Sequence, residues 1–391
     1  MHFINKKIRY FFLISIFSLG CEEALEPEVF SDTLPSNLFS SLEGVEGVLF
    51  GAYAKASLNR GNDATAELAN QEFMTDISFS TGGGAGALNY IDWILDPSAG
   101  GIFYTRPYEA IRNVNIILDE LPSAGITEEE RTLIQAEARF IRAWTYYILY
   151  IRYGPTPLRT SSSDPLEMER ADEQEYINFI ESEFLEIIPD LPNPGEEKQY
   201  GRATNGAAIG LLTKFYLNTQ QWQKCADAAQ DLMDIGFYAL FPSYFGMFQI
   251  ENEGNSEFVW VRPGVATINR EAGMSFMNFA WPNDFAVDTR SGLEFCDGCR
   301  NFAQEYRLHD DFYASFEDTD TRTELMLVEY VNTSGDTINI LPPNDNVRPF
   351  KYWPGEGDPI GPGYGNDIPV IRYADILLSR AEALNELNGP N

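Results

Sequence analysis

Few residues of this 391-residue sequence are of the types that do chemistry, and their spacing narrows the choice further. Of the two histidines, His2 lies in the extreme N-terminus, which leaves His309 alone in the body of the chain. One histidine excludes a His-clustered zinc site and weakens any Ser-His-Asp arrangement. The pair Cys296-Asp297-Gly298-Cys299 has the spacing of a redox motif. Such a motif needs a strand-to-helix setting, whereas polar Arg300-Asn301 follow here, so a local disulfide stapling a loop is the stronger reading. The run Glu317-Asp318-Thr319-Asp320 lacks the glycine and the spacing of a calcium loop. A solvated face, or an ion pair from Asp320 to Arg322, fits it better. A hydrolase would need two carboxylates at a set separation, such as Asp284 with Asp288 or Glu294, and nothing in the spacing brings them together. No catalytic residue, metal or cofactor is expected. With 59 acidic against 27 basic residues, a net charge of -32, the chain repels phosphate backbones, so no nucleic-acid partner is expected.

The elements that carry these residues begin after an apolar run. Lys6, Lys7 and Arg9 precede Tyr10–Leu19, which is far shorter than the ~20 residues a spanning helix needs. A basic segment followed by a short apolar core describes a secretory signal over residues 1–20. Its end, Ser18-Leu19-Gly20-Cys21, resembles the lipobox of bacterial lipoproteins, which makes Cys21 the expected lipid attachment point. Residues 21–40, polar and rich in Pro and Ser, then form a tether, and 41–391 one domain.

Within that domain, Val45, Val48, Leu49 and Tyr53 recur at helical spacing between Leu42 and Leu58. A second helix is predicted over Tyr108–Leu121, closed by Pro122. A third starts at the capping box Thr127-Glu128-Glu129-Glu130 and runs to Tyr153, ahead of Gly154-Pro155. Its stripe is Leu133, Ile134, Ala138, Ile141, Trp144, Ile148 and Ile151. A fourth covers Glu173–Ile188. Residues 211–236 align with the tetratricopeptide hairpin: Tyr216 in the first helix, Trp222 at the turn, and small residues in the second. Cys225 takes a small packing position there, so a structural thiol is expected. From 240 to 365 the texture changes to Gly, Pro, Asn and aromatics, with strand-like runs at 257–261, 325–330 and 347–353 and no helix longer than 304–316. Residues 368–387 read as helix, and the Ala-Glu-Ala core at 136–138 repeats at 381–383.

Together these stretches resemble the SusD/RagB family of outer-membrane nutrient-binding lipoproteins of Bacteroidetes. The most specific is Ile368-Pro369-Val370-Ile371-Arg372-Tyr373-Ala374-Asp375, followed by Ala381-Glu382-Ala383-Leu384-Asn385-Glu386. Next come Ala136-Glu137-Ala138-Arg139-Phe140-Ile141-Arg142-Ala143 and Tyr108-Glu109-Ala110-Ile111-Arg112-Asn113-Val114-Asn115. Arg202-Ala203-Thr204 and the short motif Phe316-Glu317 with Asp320-Thr321-Arg322 complete the set. The resemblance implies a mainly α fold: a SusD-like α-α superhelix on tetratricopeptide-like hairpins at about 42–58, 108–153, 173–236 and 368–388. A loop-rich ligand region spans about 240–365. Family members continue past the last helix, so its apolar face (Ile376, Leu377, Ala381, Leu384) is expected to lack a cover, as in a C-terminally truncated chain.

The resemblance also implies a job: capture of a glycan, or of a peptide as on the RagB side, at the exterior of the outer membrane. The cargo passes to a TonB-dependent SusC-like porin, and no catalysis is involved. Sugar binding needs aromatic faces beside hydrogen-bonding side chains. The loops able to supply them hold Asn89, Tyr90, Asp92 and Trp93, and Trp281, Asn283, Asp284 and Arg290. Trp144 and Trp222, at helical spacing, are expected in the core. A tetratricopeptide-type protein-interaction scaffold is the competing class, but the irregular 240–365 region argues against it.

Overall fold

The computed structural model describes residues 38–56, 72, 75–81, 101–266, 273–301, 306–355 and 363–389. Cys21, Asn89, Tyr90, Asp92 and Trp93 lie outside the described residues.

Among the described residues, the first of two main cores is built by α1 (Leu42–Ala56), α2 (Gly101–Glu120), α3 (Glu128–Tyr153), α4 (Glu173–Ile187), α5 (Asn205–Asn218) and α6 (Trp222–Asp234), together with the C-terminal helix Tyr373–Asn388. The capping box at α3 forms as read: Glu130 N–H donates to Thr127 Oγ1 at 3.3 Å, and Thr127 N–H donates to Glu130 Oε2 at 2.8 Å. At the other end Gly154 takes φ +68°, which a residue with a Cβ adopts only under strain. Between these caps α3 is surrounded by α1, α2, α4 and α5, so burial extends beyond the expected stripe to Ala136, Phe140, Ala143, Tyr146 and Tyr147. Ile151, by contrast, is 48 % exposed. Each large apolar side chain buried in this way contributes about 1.5–3 kcal/mol.

A central helix buried on most sides must satisfy the charges it carries. Arg139 and Arg142 share Glu183 of α4, each at 2.7 Å, and Arg142 also donates to Asn115 Oδ1 of α2 at 2.9 Å. Glu137 faces the other way, toward Arg202 and Tyr53. The stretch Ala136–Ala143 is thus a helix whose charged residues lock three neighbours in register.

The sequence prediction places the start of α2 at Tyr108, but the helix begins at Gly101 and runs through Pro107. Proline removes one donor there. Phe103, 4 % exposed and covered by the Arg152 guanidinium at 4.8 Å, anchors the added turns. In α6, Cys225 is fully buried and its Sγ donates to Ser379 O at 3.7 Å. Burial pushes its thiol up to about 11, which keeps it an unreactive packing group.

The C-terminal stretch divides. Ile368–Arg372 is not helical: it forms β9, antiparallel to β2 (Phe258–Arg262), and the helix α9 (Tyr373–Asn388) starts only afterwards. Three of its first four residues are β-branched and Pro369 lacks a donor, both of which favour a strand over a helix. α9 then packs on α6 with Ile376 and Ala383 buried, so part of its apolar surface is covered, while Leu378 stays 69 % exposed.

The second core gathers the irregular region, with its short helix α7 (Met277–Ala280), around Phe248, Trp281, Phe285, Phe350, Trp353 and Tyr364. Short strands frame it: β3 (Phe285–Asp288), β6 (Glu329–Asn332) and β7 (Thr337–Asn339) in one sheet, and β5 (Met326–Leu327) paired with β8 (Arg348–Pro349). The helix expected over 304–316 shrinks to α8 (Asp310–Ala314), because Tyr306–Leu308 instead forms β4 against β1 (Ser78–Ser80). The strand β2 ties the two cores together: Phe258 and Val261 belong to the second, Val259 to the first, and Trp260 stands edge-on to Phe140 and Trp144.

Candidate functional site

The β1–β4 pair, α8, and the segments around 244, 276 and 351 converge on a cleft of about 310 Å³. Its walls are rings. Phe312 and Phe316, four residues apart across the end of α8, meet edge to face at 5.1 Å. Phe276 stands 5.3 Å from Tyr306 and 6.2 Å from Tyr352, and Tyr244 lines the opposite side. Such apolar faces beside a few polar groups are what a small-molecule site requires.

Three charged side chains enter this aromatic slot. Arg322 lies 4.8 Å over the Phe316 ring and is held by Asp320, which accepts from its Nε at 2.9 Å. That hydrogen bond keeps the Asp320 carboxyl down at about 2, so the pair is charged at any working pH. The short acidic-Arg stretch is therefore a device for presenting a guanidinium on a ring. Glu72 also lines the slot, its carboxyl pushed up by burial and partly restored by Lys351. Lys351 itself sits 4.4 Å from the Phe248 ring centroid and 5.8 Å from that of Tyr352. Among the described residues neither a hydrogen bond nor an ion pair holds its ammonium. Burial, with Arg372 nearby, brings it down to about 8. Arg372 is itself engaged by Glu257 at 2.7 Å. A half-buried ammonium with unused donors, on the wall of an aromatic cleft, is a candidate ligand contact.

The residues expected to bind ligand from the 281–290 stretch are not here. Trp281 is fully buried in the second core, with Nε1 donating to Tyr364 OH at 3.2 Å, and so has no face to offer a sugar. Asp284 accepts from Tyr330 OH at 2.7 Å. Arg290 donates to the carbonyls of Thr323 and Met326, while Asn283 is exposed on the turn before β3, outside the slot. Asp288, the carboxylate weighed as a partner for Asp284, is 2 % exposed and accepts from Ser291 Oγ at 2.6 Å. These side chains organise the loop itself. Cys296 and Cys299 are joined by a disulfide of 2.01 Å, with Cys299 against the second core. The stretch of sequence that points to the walls of this cleft is the Phe316 to Arg322 motif.

A family model described as "Starch-binding associating with outer membrane" matches residues 28–217, and one described as "SusD family" matches residues 301–391, together well over half the chain. The chain belongs to the SusD family. Across its length it is 26 % identical to a SusD-like protein of Formosa agariphila, over 99 % of this chain and 79 % of that one. It is 27 % identical to the starch-binding protein SusD of Bacteroides thetaiotaomicron, over 77 % of this chain and 63 % of that one. A solved laminarin-binding SusD-like protein superposes with a TM-score of 0.76 at 22 % identity, over 87 % of this chain and 80 % of that one. Membership makes this SusD-family chain a binding protein rather than an enzyme, of a family associated with the outer membrane.

Proposed function

We propose that the aromatic slot binds a glycan at the cell exterior, and that the chain, lipid-anchored through Cys21, hands the glycan to a TonB-dependent SusC-like porin. The observation that carries the reading is the slot itself: ring faces of Tyr244, Phe276, Phe312 and Phe316 beside Arg322, Lys351 and Glu72. Pyranose rings stack on such faces, and their hydroxyls accept from the cations and donate to the carboxylate. The relatives named for starch and laminarin support a neutral glucan, and the charge of -32 disfavours an acidic one.

Calorimetric titration with starch- and laminarin-derived oligosaccharides tests this. One of the two should bind, and Phe316→Ala should weaken it about tenfold, the loss of one stacked face. Lys351→Met should also weaken binding and should flatten the pH profile. The wild-type ammonium is charged below about 8, so affinity falls as pH rises through that value. Glycan binding indifferent to both substitutions, or binding of peptides alone, would sink the assignment.

A further inference from the structure

A second, larger groove shares no lining residue with the aromatic slot. It runs between α2 and the 157–169 loop and holds about 820 Å³. We propose that it docks a polypeptide segment carrying a large apolar residue flanked by basic ones.

The floor is apolar and the rim acidic. Ile111 and Pro157 line the floor with the Tyr104 and Tyr108 rings, whose centroids are 5.1 Å apart. Of the rim carboxylates, Glu109 is engaged by Lys55 at 2.5 Å, and Asp164 accepts from the Thr160 and Ser161 N–H groups. Glu167 and Glu169 are exposed and, among the described residues, form no ion pair. Together with Asp164 they outnumber the two cations that line the groove, Arg112 and Arg159. Set on a chain of charge -32, this rim attracts basic partners and speeds their encounter.

Leu166 supplies an independent observation. Its side chain is 93 % exposed at the groove edge, yet its backbone is pinned. The Arg159 guanidinium donates to the Pro165 and Leu166 carbonyls, and Asp119 accepts from Ser162 N–H at 2.7 Å and Ser161 Oγ at 3.0 Å. A leucine held rigidly in water beside an apolar trough loses little entropy when a partner covers it. The groove suits a sugar poorly: Tyr108 spends its hydroxyl on Pro157 O at 2.8 Å, and Arg159 lies over its ring at 6.0 Å.

The test is selection of displayed random peptides on the full chain in detergent, followed by titration of the selected peptides against variants. Enriched peptides should place Trp, Phe or Leu beside Lys or Arg. Glu167→Lys with Glu169→Lys should weaken them about tenfold or more and lower their salt dependence, and Leu166→Ser should weaken them about fivefold. All three positions are exposed, so folding is spared, and oligosaccharide binding at the slot should be unchanged. Failure to enrich such peptides, equal binding to wild type and variants, or displacement of the peptide by a neutral oligosaccharide would overturn the proposal. The last outcome would make the groove a saccharide site.

Discussion

Replacing Arg202 with alanine should destabilise the chain by about 3–5 kcal/mol at pH 7, the loss expected when one partner of a buried ion pair is removed. Arg202 is 5 % exposed and reaches two carboxylates: Glu137 of α3, through Nε and Nη2 at 2.6–3.0 Å, and Glu46 of α1, through Nη1 at 2.8 Å. Tyr53 of α1 completes the network, donating to Glu137 Oε2 at 2.9 Å and accepting from Ala203 N–H. One guanidinium thus ties α1 and α3 to the turn that opens α5. Burial already pushes the Glu137 carboxyl up, with Arg202 and Tyr53 pulling it back. Without the cation only the Tyr53 hydroxyl opposes that upward push, and Glu137 is left as a buried anion or must take a proton. Its folded-state pKa then lies above the unfolded value, so the variant's deficit should be greatest near pH 7–8 and shrink toward pH 5. The double variant Arg202→Ala with Glu137→Gln should recover roughly half of the loss, because the orphaned charge is gone. Denaturant unfolding at the two pH values measures all three effects. An Arg202→Ala protein of wild-type stability would mean that the buried pair contributes no more than an exposed one.

The same network explains why the helical half was readable in the sequence. Its punctuation is local: a capping box at Thr127, a glycine at 154, a proline at 189, and apolar residues at a period that a helix imposes. Even the charged residues of Ala136–Ala143 read as helix, since their partners decide only which neighbours they lock. Where the reading slipped, long-range pairing had overruled local pattern. Ile368–Arg372 continues smoothly into a helical stripe, and only β2, more than a hundred residues earlier in the chain, makes it a strand. The slot is harder still: Phe316 and Arg322 belong to a short motif, but Glu72, Tyr244, Phe276 and Lys351, which join them, are each unremarkable in their own stretch. A Gly-, Pro- and Asn-rich context marks Trp281 correctly as lying outside any long helix. It does not tell whether a loop tryptophan faces water or a second core. That depends on Phe285, Phe295, Phe350 and Trp353 arriving around it.

Their arrival sets the other large effect: Trp281→Ala should cost about 3–5 kcal/mol and leave the slot's affinity within about twofold. The indole is fully buried, with Phe285 at 4.9 Å, Phe350 at 5.0 Å, Phe295 at 5.4 Å and Trp353 at 6.0 Å between ring centroids. Truncation opens a cavity at the meeting point of these rings, which come from three stretches (285, 295 and 350–353) and cannot all move in to fill it. It also strips a hydrogen bond from Tyr364, whose hydroxyl accepts from the indole and donates to Asn278 Oδ1 at 3.2 Å. Trp281→Phe should lose less, about 1–2 kcal/mol, since most of the volume remains and only the N–H and part of the ring are gone. Unfolding curves give the stability, and titration of the folded protein with the bound oligosaccharide gives the affinity. A core residue moves the first and spares the second. The reverse pattern, wild-type stability with binding abolished, would return Trp281 to the ligand and displace the slot from its role.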